Sequence, residues 1–172
     1  PAAEFIELYN NSSHTFNLNG WTFTDGSSTA TLGNKNLGPA QYMIICAVAD
    51  TAAFSVFGTT MGVTSFPSLN NAGDNLKLKD NVSTLIDSVD YSDTWYQDAV
   101  KKNGGWTLEQ INPGAPLGCP VSNNWIASNN AAGGTPGAQN SVYSNVADVI
   151  APTIVSVSTT DSLHVSVCFS EA

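Results

Sequence analysis

The sequence predicts an all-β domain of the sandwich type, and three observations lead to that class. Charged residues make up only 11% of the chain, against about 25% in a typical soluble domain, so Asn, Ser, Thr and Gly must supply the polar surface. Those residues favour turns and strands, because their side chains compete with the backbone for hydrogen bonds. Short apolar segments recur roughly every ten residues with a turn signal after each, which is typical of a sandwich or barrel.

Length and charge narrow the class further. The 172 residues suffice for one domain with a full core plus a fragment of another. The formal net charge of −9 argues against nucleic-acid binding, which depends on Lys and Arg. No apolar window approaches the roughly 18 residues of a membrane-spanning helix. The chain opens at Pro1 without Met, for which a removed signal peptide is one explanation and a cloning boundary another.

The first strand is predicted at residues 4–10, with the sequence EFIELYN. Side chains on a strand alternate between its two faces. Ile6 and Leu8 therefore share one face, and the other face carries Phe5, Glu7 and Tyr9.

Further strands follow the same pattern, bounded by turn residues. The apolar run at residues 42–48 indicates a central strand buried on both faces. Residues 75–79 and 85–91 are predicted to form a hairpin, and residues 50–57 one short helical turn. The remaining predicted strands are residues 15–18, 21–24, 29–32, 106–111 and 125–127.

The chain changes character after residue 143. We divide it into a β-sandwich at residues 1–143, a linker at residues 144–152 and the first strands of a truncated second β domain at residues 153–172. Two strands alone are marginally stable in water. We therefore expect them to dock on the first domain, to form a strand-mediated dimer, or to be poorly ordered.

The combined motifs resemble the lamin tail domain family over residues 2–142. Residues 4–26 are similar to its opening motif, and residues 37–45 and 75–78 to its next strands. Residues 106–109 and 134–137 are similar to the closing motifs of bacterial members. The residues that carry the family signature are Glu4, Glu7, Leu8, Asn10, Gly20, Trp21, Asp25 and Gly26.

This resemblance implies an immunoglobulin-like β-sandwich that is not an enzyme. In animals the family forms the C-terminal globular part of nuclear lamins, whereas bacterial members occur in exported, multidomain surface proteins, sometimes beside nucleases or other hydrolases. The chain lacks coiled-coil heptads and Arg, which favours the bacterial type and a secreted or cell-surface location. Residues 151–171 resemble the start of bacterial Ig-like repeats.

Candidate catalytic groups are few. Glu4 and Glu7 stand at an odd spacing on a strand, so their side chains point to opposite faces and cannot flank one bond. Hydrogen bonding to a neighbouring loop is their expected role. His14 and His164 are far apart, and no Ser or Cys stands in an elbow motif, which argues against a catalytic triad.

Two candidates for ligand binding remain. A run of aspartates would hold a surface calcium ion if their oxygens converged, but solvated strand ends and turn caps are the favoured explanation, and no cofactor is predicted. Trp95 and Tyr96 are the aromatic pair predicted to be most exposed, and they either contact a ligand or anchor a loop on the sandwich. The aspartates are Asp74, Asp80, Asp87, Asp90, Asp93 and Asp98.

The cysteines Cys46, Cys119 and Cys168 fit no zinc-binding spacing. A Cys46–Cys119 disulfide would stabilise the fold by roughly 4–5 kcal/mol in the entropy model. The alternative is two buried, inert thiols, and the sequence leaves both open.

The leading functional hypothesis is a non-catalytic binding or architectural module of a secreted or cell-surface multidomain protein. It would contact another protein or position neighbouring domains. The first alternative is an accessory carbohydrate-binding module of a surface hydrolase, which exposed Trp95 and Tyr96 beside a polar groove would favour. The second is a calcium-stabilised adhesion domain. The expected partner is thus a protein or a surface polysaccharide.

Overall fold

The computed structural model describes residues 3–115, 121–145, 153–159 and 163–170, and these form mainly short strands. A four-residue helix, α1 (Thr51–Phe54), follows a 3₁₀ turn at Val48–Asp50. Other 3₁₀ turns lie at Asp93–Tyr96, Lys101–Asn103 and Val121–Asn124. The strands are β1 (Phe5–Tyr9), β2 (Phe16–Asn17), β3 (Thr22–Thr24), β4 (Thr29–Thr31), β5 (Asn36–Leu37), β6 (Tyr42–Ala47), β7 (Thr60–Val63), β8 (Gly73–Lys79), β9 (Leu85–Ser92), β10 (Leu108–Gln110), β11 (Trp125–Ala127), β12 (Ile154–Thr159) and β13 (Val165–Phe169).

The first sheet has the strand order β1-β6-β7. β1 runs antiparallel to β6, with Glu7 opposite Ile44. β7 runs parallel to β6, with Met61 opposite Ile45. The four inner residues of β6 are all 0% exposed, which confirms the central strand predicted from the apolar run.

The second sheet has the strand order β4-β3-β8-β9 and is antiparallel throughout. Its β8–β9 hairpin is the predicted one, with Leu78 opposite Asp87. β3 lies between β4 and β8, so that Phe23 is flanked by Ala30 and Leu78.

The main core lies between the two sheets. Ile6 and Leu8 pack against it, as the alternation along β1 predicts. Phe5 lies on the opposite face of β1 and packs on Phe54 of α1, with ring centroids 4.8 Å apart. Burial of such side chains stabilises the fold by roughly 1.5–3 kcal/mol each. The buried residues between the sheets are Leu18, Ala30, Leu32, Leu37, Met43, Ile45, Met61, Val63 and Leu78.

A third layer contacts the outer face of the first sheet. β10 and β11 pair antiparallel, with Glu109 opposite Ile126. Residues 134–143, which we call the covering segment, then return to the sandwich. Gly137 approaches the backbone of Phe57 so closely that a Cβ would clash there, and its φ is +78°. Glycine meets both demands because it has no Cβ.

The tail strands β12 and β13 form an antiparallel pair, with Val157 opposite Val167. Their apolar side chains are largely exposed; Val155, Val157 and Val165 are 58%, 59% and 62% exposed. The chain boundaries at residues 143 and 152 stay a prediction.

Two local features differ from the predictions made from the sequence, and a third favours one of two alternatives that the sequence left open. The sequence does not predict β5 or β7, which are two and four residues long. The helix is shorter than the predicted turn and ends at Phe54. Cys46 is a free and fully buried thiol whose pKa is raised by burial. This favours the inert thiol over the disulfide, and Cys119 lies outside the described residues.

Candidate functional site

A large groove opens at the side of the sandwich where β1 and β9 are the edge strands of their sheets. Its volume is about 1250 Å³. β1 forms one wall, β8 and β9 form a second, and residues 104–110 form a third. Usual small-molecule pockets measure about 300–1,000 Å³, so this groove suits a larger ligand such as an extended chain.

The groove wall formed by β9 combines an acidic and an aromatic group. Asp87 stands opposite Leu78 in the β8–β9 pair, and although its side chain is exposed, partial desolvation raises the pKa of its carboxyl. The Tyr91 hydroxyl donates to the Asn70 carbonyl at 2.7 Å, and burial raises the pKa of Tyr91 to about 12. Tyr91 is therefore a neutral hydrogen-bonding group at physiological pH.

Two glutamates meet beside the groove under the covering segment. Glu7 accepts a hydrogen bond from the N–H of Gly137. Glu109 is only 4% exposed and accepts a hydrogen bond from the Thr135 hydroxyl at 2.8 Å. It also accepts from the N–H and the hydroxyl of Ser141, at 2.8 and 2.7 Å. One polar centre thus joins β1, β10 and the covering segment.

The protonation of Glu7 follows from its surroundings. Burial is the main cause that raises the pKa of Glu7 from its ordinary value of 4.5 to about 7. The Gly137 N–H lowers this pKa, and the negative charge of Glu109 raises it. Burial disfavours the charged form of a carboxyl, so Glu7 exchanges its proton near neutral pH.

The other signature residues near β1 have structural roles. Asn10 is 5% exposed, and its amide donates to the carbonyls of His14 and Leu37 at 2.7 and 2.9 Å. These bonds fix the turn that follows β1. Glu4 accepts a hydrogen bond from the N–H of Leu69 at 3.2 Å, which is the loop contact expected for it.

The signature residues at positions 20 to 26 shape the turns around β3. Gly20 and Gly26 have φ of +78° and +88°, values that glycine adopts without strain. Asp25 accepts a hydrogen bond from the N–H of Ser28 at 2.6 Å, and this bond is the main cause that lowers the pKa of Asp25. Trp21 packs against the core.

Trp95 and Tyr96 lie in a 3₁₀ turn. The Trp95 and Trp125 ring centroids are 6.5 Å apart, and the Tyr96 hydroxyl donates to the Trp106 carbonyl at 3.2 Å. Trp95 and Tyr96 were predicted either to contact a ligand or to anchor a loop on the sandwich, and these contacts favour the loop anchor. Tyr96, Trp106 and Trp125 nevertheless line the groove. Within the described part of the chain, the buried indole N–H of Trp125 has no hydrogen-bond partner.

The acidic stretch does not assemble a metal site in the described residues. Among them, no group of three or more His, Cys, Asp and Glu side chains is placed to hold a metal ion. Asp80 accepts from the N–H groups of Val82 and Thr84, and Asp98 from that of Lys101. These are turn caps, so the calcium hypothesis loses the convergence that it requires.

Glu109 is the residue that sequence reasoning misses. Spacing along the sequence relates Glu7 only to Glu4, because spacing rules apply to residues on the same strand. Glu109 lies far along the chain, and the covering segment brings it to Glu7. The one signal was a carboxylate inside the strand WTLEQI, where an unpaired charge would be costly to bury.

The two packed sheets and their turns define an immunoglobulin-like β-sandwich module. A family model for the Lamin Tail Domain matches residues 1–93, more than half of the chain, and the chain belongs to the lamin tail domain family. No curated protein and no solved structure matches it. The family match confirms the resemblance to lamin tail domains over residues 1–93 and the predicted fold, and lamin tail domains are generally non-enzymatic. None of the helices in the described ranges is long and apolar enough to cross a bilayer.

Proposed function

We propose that the chain is a non-catalytic binding module of a multidomain protein and that the groove is its binding surface. The observation that carries the proposal is the groove itself, with a volume of about 1250 Å³ and walls formed by β1, β8, β9 and residues 104–110. A domain that serves only as a spacer between neighbouring domains does not need a groove of this kind. Membership of the lamin tail domain family supports the non-catalytic role.

The charges of the groove favour a protein partner with a basic surface. Glu4, Asp80 and Asp87 line it together with the two glutamates under the covering segment. Of the two lysines in the lining, Lys102 is paired with Asp93 at 2.9 Å. Complementary charge raises the rate of encounter and suppresses wrong partners, so an acidic groove selects Lys and Arg.

A peptide library displayed on phage tests this proposal with the full chain as bait. We expect selected peptides to be rich in Lys, Arg and aromatic residues. Ile86 lines the groove and is 45% exposed, so Ile86→Lys should weaken their binding by about tenfold or more through like charge.

Val56→Lys is the matched control, because Val56 is 78% exposed and lies outside the groove lining. It should bind the selected peptides as the wild type does. Equal weakening by both substitutions, or no effect of Ile86→Lys, would contradict the groove as the binding surface.

A polysaccharide is the second candidate ligand, and the indole N–H of Trp125 favours it. This donor is buried at the groove without a partner among the described residues, and Tyr91 and Trp106 supply rings nearby. A ligand at 100 times its Kd adds about 2.7 kcal/mol, or several degrees in Tm. A shift in Tm with one polysaccharide and none with the selected peptides would show that the ligand is a polysaccharide and not a protein.

We also propose a secreted or cell-surface location in a protein of the bacterial type. Support comes from the closing motifs at residues 106–109 and 134–137, which resemble those of exported members, and from the lack of Arg and heptads. Mass spectrometry of medium, surface and cytosolic fractions tests the location. Recovery from the cytosol alone would contradict it.

A further inference from the structure

The two sheets of the sandwich differ in width, with three strands in the first and four in the second. They meet at one side, because the N–H of Gly33, which follows β4, donates to the Met61 sulfur of β7 at 3.2 Å. β1 and β9 are the edge strands at the other side. The first sheet thus ends one strand early at β1, and β9 extends beyond it.

The side chains of the β8–β9 pair show this overhang. Leu78 and Asp87 stand directly opposite each other, so their side chains lie on one face of the second sheet. Leu78 is buried in the core, whereas Asp87 is exposed. Val89, two residues further along the same face, is half-buried. One further strand beside β1 would cover this face.

β1 directs peptide groups toward that position. The N–H and C=O groups of successive residues point to alternate sides of a strand in an antiparallel pair. Asn10 points toward the β6 side, where its N–H donates to the Gln41 carbonyl at 3.0 Å. By alternation, the peptide groups of Phe5, Glu7 and Tyr9 point away from β6. In the described part of the chain, these groups have no backbone partner.

The edge of β9 is less available than that of β1. The N–H of Asp93, just after β9, donates to the carbonyl that precedes β8, at 3.1 Å. By alternation, Ser88, Asp90 and Ser92 direct their peptide groups outward. The N–H of Ser88 donates to the Asp87 carboxylate at 2.7 Å, and Asp90 and Ser92 lie outside the groove lining. All residues of β1, in contrast, line the groove.

We propose that the groove binds an extended segment of a partner protein as an added strand, which pairs with β1 and extends the first sheet over β9. This inference rests on the proposed function and specifies how the groove holds its ligand. Phe5, Glu7 and Tyr9 each offer one N–H and one C=O to the added strand. In strand addition, main-chain hydrogen bonds supply affinity, and side chains at alternate positions supply selectivity.

The surroundings of β1 favour a single basic segment over the sheet edge of a second folded copy. Every residue of β1 is half-buried, and the walls formed by β8, β9 and residues 104–110 flank the strand. This leaves room for one extended chain and not for a folded domain. Alternate side chains of the added strand contact Asp87 and Val89, so we expect Lys or Arg and an apolar residue at these positions.

Amide hydrogen exchange resolved by NMR tests the added strand within β1. The full chain is compared with and without the tightest-binding peptide from the phage selection. Exchange at Phe5, Glu7 and Tyr9 should slow by about tenfold or more, because the peptide takes up their N–H groups. Ile6 and Leu8 are the controls, because their N–H groups face β6; their exchange should change far less.

N-methylation of the same peptide removes one N–H at a time and leaves the protein unaltered. Only every second residue of an added strand donates to β1. We therefore expect the affinity to fall by about tenfold at alternate residues and to stay unchanged at the residues between them.

Tyr9→Pro tests the edge of β1 from the protein side, with Tyr9→Ala as the matched control. Both variants lose the ring that stacks on Tyr42, but only proline also loses the outward N–H. Edge strands tolerate proline where the N–H is unpaired. Tyr9→Pro should bind the peptide about tenfold more weakly than Tyr9→Ala.

The results separate this inference from the proposed function. Peptides that bind and are weakened by Ile86→Lys, but show no alternation along β1 or along the peptide, would overturn the added strand and leave the groove as the binding surface. Slower exchange at Asp90 and Ser92 instead of β1 would overturn it in favour of the β9 edge. A selection that yields no binding peptide would contradict both.

Discussion

The sandwich at residues 5–92 and the layer at residues 104–115 and 121–143 are held by different forces. The sandwich is packed around apolar side chains that are almost completely buried, such as Ile45 at 0% exposure. The layer is fixed by hydrogen bonds that Thr135, Gly137 and Ser141 donate to two glutamates. Apolar packing does not depend on protonation, whereas a carboxylate centre does. One small protein therefore combines a pH-insensitive core with a pH-sensitive layer.

The largest expected effect comes from a cavity in the sandwich. Ile45→Ala removes a fully buried side chain between the sheets and should lower the free energy of unfolding by about 3–4 kcal/mol. Urea unfolding measures it. Val56→Ala, at a site 78% exposed, should change stability by less than about 0.5 kcal/mol. A loss below about 1 kcal/mol for Ile45→Ala would mean that this core is not the main source of stability.

A smaller effect is expected when the layer loses its anchor. Glu109→Ala leaves the N–H and hydroxyl of Ser141 and the hydroxyl of Thr135 without their acceptor. The cost should be about 2–3 kcal/mol, because buried donors lose their partners. Hydrogen exchange should accelerate in residues 107–111 and remain unchanged in β6. Equal acceleration in both regions would show that the layer and the sandwich open as one cooperative unit.

The effect of pH comes third and follows from Glu7. Its folded pKa of about 7 exceeds its ordinary value of 4.5, so the folded state holds the proton more tightly. The resulting stabilisation is complete below pH 4.5 and is lost as the pH rises through about 7, by about 3 kcal/mol. Urea unfolding at several pH values measures this loss, and Glu7→Gln should not show it. If the free energy of unfolding of Glu7→Gln fell with pH as that of the wild type does, Glu7 would not be the source of the pH dependence.

The smallest effect is expected from removal of residues 144–172. Since β12 and β13 expose most of their apolar side chains, their loss should change the free energy of unfolding by less than about 0.5 kcal/mol. The exposed valines should instead promote dimers of the full chain, visible in light scattering and absent without the tail. Loss of cooperative unfolding in residues 1–143 would show that the tail belongs to the folded unit.

Much of the sandwich could be predicted because its signals are local. The alternation along β1, the apolar run of β6 and the paired alternations of β8 and β9 each lie within a few residues of sequence. β7 could not be predicted from the sequence because it is only four residues long and contains Gly62. Its stability comes from parallel pairing with β6, which local sequence does not encode.

The polar centre could be predicted only in part, for the same reason. Asn10 and Glu7 belong to a recognisable motif, yet their partners Leu37 and Gly137 lie elsewhere in the chain. Likewise, the exposure predicted for Trp95 depended on its polar neighbours in sequence. Its actual environment is set by Trp125, which tertiary packing brings to it.

Native-state hydrogen exchange at a series of low urea concentrations tests most directly whether the layer and the sandwich are separately stabilised. The amides of residues 107–111 and 125–128 should exchange through a partial opening whose free energy is lower than that of β6. This gap should widen as the pH rises through about 7, since Glu7 ionises there. A single opening free energy shared by both regions at every pH would contradict the account.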